Sequence, residues 1–156
     1  MKKIAINGFG RIGRSALKVI FETDGLEIVG INDLMDIENA VYLLKYDSNY
    51  GKYEKDVRFE GNTIFVAEKA IKYSSIREIE NLPWKDLNVD VVIESTGIFT
   101  SQLDSEKHIL AGAKSVVISG PTKDTPTVVH GVNTDTGNVS IFSCASCTTN
   151  NISPII

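Results

Sequence analysis

Cys147 is the residue whose surroundings in this sequence most clearly suggest covalent chemistry. It lies in the segment SCASCTTNN (residues 143–151), with Ser146 and Thr148 on either side of it. The residues that follow it, TTN, are types that commonly begin helices. Unpaired N–H groups at a helix N-terminus favour a thiolate and can stabilise an oxyanion. The pattern therefore predicts a nucleophilic thiol, with two neighbouring hydroxyls available to a phosphate or a carbonyl oxygen.

A second cysteine, Cys144, precedes Cys147 by three residues. This C-x-x-C spacing also occurs in dithiol redox proteins, so a reversible disulfide is an alternative. That motif is usually followed by an apolar helix in a thioredoxin-like domain, and the rest of this sequence does not favour such a fold. We therefore interpret Cys144 as a small buried residue that behaves as a hydrophobic side chain.

The sequence predicts no metal site, because no set of cysteines, histidines and acidic residues has metal-ligand spacing. Its two histidines, His108 and His130, are far apart and unaccompanied. We expect each of them to be a surface residue rather than a catalytic base.

Three glycines, Gly8, Gly10 and Gly13, form a G-x-G-x-x-G pattern. They follow an apolar strand that ends at Asn7 and lie at the start of a predicted helix. In such a loop the first glycine permits a tight turn, the second lets a pyrophosphate approach the backbone, and the third lets the helix pack closely on the strand. The helix N-terminus adds free N–H groups and a partial positive charge. The pattern predicts dinucleotide binding.

Asp33 gives a second signal for a dinucleotide. It follows the next predicted strand, twenty residues after Gly13, where an acid accepts hydrogen bonds from adenosine ribose hydroxyls. Taken alone, it would be interpreted as the cap of a helix or turn. A carboxylate there also repels a 2′-phosphate, and no lysine or arginine follows it immediately, so NAD is predicted over NADP. Arg11 is either an ordinary solvated helix residue or a neighbour of the pyrophosphate.

The segments that position these residues alternate between apolar runs of strand length and amphipathic runs of helix length. This alternation predicts an α/β fold with a doubly wound, mostly parallel sheet, in which ligands bind at the carboxyl ends of the strands. The predicted strands are 2–7, 26–32, 89–94, 116–119 and 140–143; the helices are 11–22, 37–44 with Asp36 as a possible cap, and 102–111; residues 57–73 form a small antiparallel insertion with a turn at Gly61 and Asn62.

The composition is that of one ordinary globular domain, with 156 residues of which 42% are hydrophobic and 23% charged. A net charge of -4 and a pI near 5.2 give no electrostatic argument for binding nucleic acid or an anionic membrane. The apolar run in MKKIAINGFG is too short for a signal peptide, and no later run has transmembrane length. With two cysteines and no export signal, we expect a cytoplasmic protein with reduced thiols.

Several segments combine into a more specific pattern: INGFGRIGR, NDL, YLLKYDSNYGKY, LPWKDLNVDVVIESTGIF, AGAKSVVISGP, GVN and SCASCTTN. Together they resemble the NAD-binding half of phosphorylating glyceraldehyde-3-phosphate dehydrogenases. The resemblance implies a Rossmann-type NAD-binding domain over residues 1–149. It implies that residues 150–156 are the truncated start of a catalytic domain, and that the full-length protein is a homotetramer.

The same resemblance implies roles for individual residues. Cys147 would attack the aldehyde of glyceraldehyde 3-phosphate, a hydride would pass to the nicotinamide, and inorganic phosphate would cleave the resulting thioester. Ser146 and Thr148 would contact substrate or inorganic phosphate. The implied cofactor-binding residues are Asn7, Gly8, Gly10, Arg11, Ile12, Gly13, Asp33, Arg77, Thr96, Gly97 and Ser119, with Thr96 and Gly97 near the nicotinamide end.

Some positions depart from the family pattern. Cys144 replaces the usual asparagine, and Asn151 replaces the second cysteine that usually follows the nucleophile by four residues. The segment SIREIENLPW lacks the acidic residue and the Asp-Pro that usually flank Arg77, and the tyrosine common soon after GVN is absent. The histidine and arginine of the family's second domain are not in this sequence. We therefore expect little catalysis by the isolated chain.

Three alternatives stay open. The chain could be a stand-alone NAD-binding module without dehydrogenase activity, or a dithiol redox protein that uses Cys144 and Cys147. It could also belong to a near relative that acts on erythrose 4-phosphate, because the residues that discriminate between the substrates lie in the family's second half.

Overall fold

The computed structural model describes residues 1–134, 137 and 139–155. A short 3-10 helix covers Ile79–Asn81. The other elements, in chain order, are β1 (Lys2–Asn7), α1 (Arg11–Phe21), β2 (Leu26–Asn32), α2 (Ile37–Lys45), β3 (Tyr46–Asp47), β4 (Gly51–Lys52), β5 (Val57–Glu60), β6 (Thr63–Val66), β7 (Lys69–Ser74), β8 (Val91–Glu94), α3 (Gln102–Leu110), β9 (Ser115–Ile118), β10 (Ile141–Ser143) and α4 (Cys147–Ile152).

Eight strands form one sheet, in the order β10-β9-β8-β1-β2-β7-β6-β5. The strand β1 pairs in parallel with β2 on one side and β8 on the other, so Asn7 is the register partner of both Asn32 and Glu94. The strand order therefore reverses beside β1. Such a reversal opens a crevice at the carboxyl ends of the strands, where ligands bind in open parallel sheets. The predicted doubly wound sheet is confirmed.

The antiparallel insertion predicted over residues 57–73 is also confirmed. The strands β5, β6 and β7 are joined by two hairpins, and the predicted turn at Gly61 and Asn62 joins β5 to β6. Because β7 pairs with β6 in antiparallel and with β2 in parallel, the insertion extends the main sheet. The strands β3 and β4 form a separate antiparallel pair.

The central strand β1 is buried on both faces. Ile4 and Ile6 of β1 belong to a core that includes residues of α1 and α2, whereas Ala5 belongs to a second core that includes Trp84 and has Ile109 of α3 packed against it. Successive side chains of a strand point to opposite faces, so the two cores lie on opposite sides of the sheet. Burial on both faces explains why the middle of β1, Ile4 to Ile6, is an unbroken apolar run.

The predicted boundaries of the parallel strands and of α1 to α3 agree with the observed ones within two residues, which is the ordinary uncertainty at element ends. Asp36 lies at the N-cap position of α2, but its side chain makes no capping hydrogen bond within the described residues. None of the described helices is long and apolar enough to cross a membrane.

The prediction that His108 is a surface residue is wrong. Its side chain is completely buried. It accepts a hydrogen bond from Trp84 and contacts Glu94, and these partners offset the cost of burying a polar ring. His130 is exposed, as predicted.

Candidate functional site

A cavity of about 570 Å³ opens at the carboxyl ends of β1, β2 and β8. It lies at the strand reversal, where the topology places a ligand crevice. It includes Asn7, Gly8, Gly10, Asp33, Arg77 and Thr96 from the residues predicted to bind the cofactor. The full lining is Asn7, Gly8, Gly10, Asn32, Asp33, Leu34, Ile76, Arg77, Ser95, Thr96, Ile98 and Phe99.

The three glycines of the loop have different surroundings. Gly8 has φ +93°, and a Cβ there would lie 2.5 Å from the backbone nitrogen of Thr96. A Cβ at Gly13 would lie 2.2 Å from the carbonyl oxygen of Gly8, so helix and strand pack as closely as the pattern predicts. At Gly10, in contrast, no described atom outside Gly10 and its two chain neighbours lies within 4 Å of the Cβ position. The loop therefore leaves room for a ligand to approach its backbone at Gly10.

Asp33 lies directly after β2 and contributes its carboxylate to the cavity. Its Oδ2 accepts a hydrogen bond from the backbone N–H of Phe9 (2.6 Å), and its Oδ1 accepts one from Met35 (2.9 Å). A carboxylate oxygen can accept two hydrogen bonds. Each oxygen thus retains acceptor capacity, which suits a pair of ribose hydroxyls. The two backbone donors hold the carboxylate in a fixed orientation between the glycine loop and the turn that follows β2.

Tyr73 supports the loop that carries Asp33. Its hydroxyl donates to the carbonyl oxygen of Met35 at 2.8 Å. Burial raises the pKa of Tyr73 well above its ordinary value, and the nearby Asp33 raises it further. The hydroxyl is therefore a neutral donor throughout the physiological range, and the loop keeps this contact.

The helix α1 begins immediately after Gly10. Its first backbone N–H groups have no partners within the helix, and they concentrate a partial positive charge beside the cavity. Arg11 and Ile12 belong to this first turn, but their side chains are exposed and do not line the cavity. The guanidinium of Arg11 lies 3.4 Å from the hydroxyl of Ser48, in a neighbouring cavity. The side chains of Arg11 and Ile12 therefore lie outside the wall of the described cavity.

Apolar residues complete the cavity, and sequence reasoning did not single them out. Leu34 follows Asp33, and Ile98 and Phe99 follow the loop that contains Thr96. Leu34 and Ile98 are exposed although they are large and apolar. Apolar walls beside a few polar groups are typical of ligand sites. Only their position just after two central strands could have pointed to them.

Gly97 and Ser119, also predicted to bind the cofactor, do not line this cavity. Gly97 follows Thr96 and has φ +74°. Ser119 follows β9, and its backbone N–H donates to the carbonyl oxygen of Glu94 at 2.9 Å. Both residues therefore lie at the carboxyl edge of the sheet without forming the wall of the described cavity.

Cys147 lies at the same edge of the sheet, farther from β1. It is exposed and is the first residue of α4, which follows β10. Because β9 and β8 separate β10 from β1, about 14 Å of sheet lies between them at ~4.8 Å per strand. Ser146 is the N-cap of α4, and its hydroxyl accepts from the N–H of Thr149 at 3.0 Å. The predicted helix start at Cys147 is confirmed.

Cys144 differs from Cys147 in its surroundings. It is half-buried, and burial raises the pKa of its thiol. Since the thiolate is the reactive form, this environment disfavours a dithiol redox role. The chain turns between the two cysteines at Ala145, whose φ of +65° is one that L-residues seldom adopt.

Among the described residues, no three His, Cys, Asp or Glu side chains are placed to hold a metal ion.

Comparison with known proteins gives a consistent result. Residues 2–102 match the family described as glyceraldehyde 3-phosphate dehydrogenase, NAD binding domain. Among curated relatives, the glyceraldehyde-3-phosphate dehydrogenase of Chlamydia pneumoniae is 50% identical over 98% of this chain and 47% of its own length. The cytosolic enzyme of Trypanosoma brucei brucei is 50% identical over 98% of this chain and 47% of its own length. The Thermotoga maritima enzyme is 47% identical over 100% of this chain and 48% of its own length. The chain thus spans about half the length of these relatives.

Proposed function

The chain belongs to the glyceraldehyde-3-phosphate dehydrogenase family, its cofactor is NAD, and we propose that it forms the NAD-binding half of an enzyme that oxidises and phosphorylates glyceraldehyde 3-phosphate. The observation that carries this proposal is the cavity between Gly10 and Asp33. Gly10 leaves open space beside the first turn of α1, where a pyrophosphate would accept hydrogen bonds from backbone N–H groups. Asp33 retains acceptor capacity for the adenosine ribose. The residues present therefore fit NAD.

The remaining predicted contacts follow from the same arrangement. Asn7, Gly8, Arg77 and Thr96 line the cavity and would contact the cofactor directly. Arg11, Ile12 and Gly13 would act through the backbone of α1, and Gly97 and Ser119 would act from the neighbouring strand ends. When bound, NAD supplies the acceptor for the hydride that leaves the substrate.

We assign the covalent chemistry to Cys147. Its sulfur would form a bond to the aldehyde carbon of glyceraldehyde 3-phosphate, and after oxidation the acyl group would remain on the sulfur as a thioester. Inorganic phosphate would then displace the sulfur, releasing an acyl phosphate and restoring the thiolate. Exposure of Cys147 at the carboxyl edge of the sheet supports this role, because a substrate can reach it.

Ser146 and Thr148 would contact the substrate or inorganic phosphate. The Ser146 hydroxyl is already used as the cap of α4 and contacts the Thr149 hydroxyl at 2.9 Å. Thr148 is exposed. Thr148 is therefore the better placed of the two to offer a hydroxyl to an incoming oxyanion.

At the scale of the whole protein, we propose a cytoplasmic homotetramer. The support is the family membership and a relative named as cytosolic. We also propose that the NAD-binding domain covers residues 1–149 and that the catalytic domain begins at residue 150, since the relatives extend to about twice the length of this chain. The helix α4 (Cys147–Ile152) spans this boundary.

Calorimetric titration of the chain with NAD and with NADP tests the cofactor assignment. We expect NAD to bind at least about tenfold more tightly than NADP, because Asp33 accepts ribose hydroxyls and repels a 2′-phosphate. Asp33→Asn should raise the Kd for NAD about tenfold and reduce the preference for NAD over NADP. The control is Asp36→Asn, which changes an exposed carboxylate that makes no capping hydrogen bond. Equal affinities for both cofactors, or an Asp33→Asn variant that binds like the Asp36→Asn control, would overturn the assignment.

The alternatives give different outcomes. A stand-alone NAD-binding module would bind NAD, yet a form extended to the length of the relatives would show no turnover that depends on Cys147. A relative specific for erythrose 4-phosphate would show a higher kcat/KM with that aldehyde than with glyceraldehyde 3-phosphate. A dithiol protein would form a Cys144–Cys147 disulfide under mild oxidation, which the burial of Cys144 disfavours.

A further inference from the structure

A buried polar cluster lies directly beneath the dinucleotide cavity, and two of its members, Glu94 and His108, have no role in the function proposed above. Glu94 ends β8, and Asn7 ends β1 beside it; each is 2% exposed. His108 of α3 is completely buried next to Glu94. A buried carboxylate is costly unless its oxygens are fully hydrogen-bonded. The donors around Glu94 therefore indicate the structural role of its carboxylate.

Glu94 accepts hydrogen bonds through both carboxylate oxygens. Its Oε2 accepts from the side-chain amide of Asn7 at 2.6 Å and lies 3.0 Å from Nε2 of His108. Its Oε1 accepts from the backbone N–H of Thr96 at 2.8 Å and from the Thr96 hydroxyl at 2.5 Å. The two oxygens thus have different partners: one faces the core, and the other holds the loop that forms a wall of the cavity.

The tautomer of His108 follows from its second partner. The indole N–H of Trp84 lies 2.9 Å from Nδ1 of His108, and an indole nitrogen can only donate. Nδ1 must therefore accept, so in the neutral ring the proton is on Nε2 and is donated to Glu94. With this donor, the carboxylate receives four hydrogen bonds, from Asn7, from His108 and twice from Thr96. A carboxylate suits this position because both of its oxygens accept.

The cluster continues to the other side of the cavity. The Oδ1 of Asn7 accepts from the side-chain amide of Asn32 at 2.8 Å. The Oδ1 of Asn32 in turn accepts from the backbone N–H of Ile76 at 2.9 Å. Asn7, Asn32, Ile76 and Thr96 all line the cavity. A single chain of hydrogen bonds therefore connects the walls that β8, β1, β2 and the segment after β7 contribute.

We propose that Glu94, oriented by His108, is a positioning residue that sets the Thr96 side of the NAD site. The inference rests on the proposed NAD site and extends it. Among the described residues, the side-chain hydrogen bonds of Glu94 do not involve Asp33, which lies on the β2 side and has its own backbone donors. Loss of the Glu94 carboxylate should therefore displace the Thr96 loop and leave the Asp33 side in place.

The first test measures binding of NAD and of ADP to the same variants. ADP carries the adenosine and the two phosphates but not the half of NAD expected near Thr96. In Glu94→Gln, one donor must face another donor, because an amide offers only one acceptor oxygen to the groups that contact Glu94. We expect the Kd for NAD to rise about tenfold and the Kd for ADP to stay within about twofold. The N–H signal of Thr96 in NMR spectra should also shift, because its carboxylate acceptor is lost.

The matched control is Asp90→Asn. Asp90 directly precedes β8, so it lies at the amino ends of the parallel strands, away from the cavity. Its carboxylate accepts from the N–H of Lys3 at 2.8 Å and from Lys114 at 2.6 Å. This change also removes a carboxylate that links β1 to the β8 segment. It should lower stability without changing the ratio of the NAD and ADP affinities.

If Glu94→Gln does not fold, a pair of His108 variants tests the same inference. The glutamine side chain in His108→Gln can still donate to Glu94, whereas His108→Leu removes the donor. We expect His108→Leu to raise the Kd for NAD about fivefold with little change for ADP, and His108→Gln to restore most of the affinity. Equal NAD to ADP affinity ratios in the wild type, Glu94→Gln and both His108 variants would overturn the inference while leaving the proposed function intact. A wild-type chain that binds neither NAD nor ADP would overturn both.

Discussion

At the residue scale, the chemistry of the site depends on where open space and free lone pairs remain. Gly10 and Asp33 illustrate this in different ways. Gly10 lines the cavity and has room for a methyl group, whereas Asp33 is held by two backbone donors and still has acceptor capacity. Substitution of Gly10 by a small residue should affect binding more than folding, because no contact within the protein is lost.

Gly10→Ala tests this at the loop. Its φ of -69° is negative, as alanine prefers, and no described atom beyond the two chain neighbours lies within 4 Å of the new methyl group, so stability should change by less than about 0.5 kcal/mol. The methyl group would occupy space needed by the pyrophosphate, so the Kd for NAD should rise at least about tenfold. Gly120→Ala is the control, since it adds a methyl group in equally open space outside the cavity. Unchanged NAD affinity in Gly10→Ala would contradict the placement of the pyrophosphate.

The two thiols should differ in reactivity. Cys147 is exposed, whereas Cys144 is half-buried and burial raises its pKa, so less of it is thiolate at neutral pH. With iodoacetamide at pH 7, we expect alkylation of Cys147 to be at least about tenfold faster than that of Cys144. Mass spectrometry of tryptic peptides measures both rates, and Cys147→Ser serves as the control that leaves only the slow reaction. Faster alkylation of Cys144 would contradict this description of the site.

At the element scale, the hairpin between β6 and β7 contains stored backbone strain. Its two-residue loop has Ala67 and Glu68 at φ +45° and +66°, where glycine and asparagine are favoured. Ala67→Gly should therefore raise the free energy of unfolding by about 0.5 kcal/mol, because relief of strain exceeds the added entropy of the unfolded chain. Ala70→Gly, three residues later within β7, should instead lower it by about 1 kcal/mol. Urea unfolding measures both variants, and a change of the same sign in both would refute the strain.

The elements also show how far the sequence can be interpreted. The alternation of apolar strands and amphipathic helices predicts the sheet correctly. Strands that are buried on both faces contain short apolar runs, and such runs are easy to recognise in a sequence. The helix α3 does not follow this pattern. Its leucines, Leu103 and Leu110, are exposed, while its buried residues are Ser105 and His108. A polar side chain can be buried because of partners distant in sequence, such as Glu94 and Trp84, and periodicity carries no information about them.

Some residues of the candidate site can also be predicted from the sequence, and others cannot. The glycine loop and Asp33 are predictable because the backbone geometry of the loop and the proposed ribose contact require those residue types at that spacing. Leu34, Ile98 and Phe99 are not, because apolar residues in loops have many other reasons to occur. The structure brings them to the cavity through the register of β1, β2 and β8, which is a property of the assembled sheet.

At the scale of the whole molecule, carboxylates should control stability in acid. The pKa values of Asp104 and Asp90 lie below their ordinary value of 3.8, chiefly through hydrogen bonds from Ser101 and Lys114, respectively. A lowered folded-state pKa stabilises the protein above the unfolded pKa, and this stabilisation is lost as pH falls through the folded value. The urea midpoint should therefore fall as pH is lowered below about 4. Asp90→Asn should show a smaller fall than the wild type, and an equal or larger fall would contradict the argument.

The topology of the whole sheet supports one central proposal: NAD binds in the cavity at the reversal of strand order. A crystal structure of the chain grown with NAD measures this most directly. We predict the adenosine ribose within hydrogen-bond distance of Asp33, the pyrophosphate against the backbone from Gly10 to Ile12, and the nicotinamide end towards Thr96. A structure with NAD bound elsewhere, or with this cavity free of nucleotide at saturating NAD, would contradict the claim.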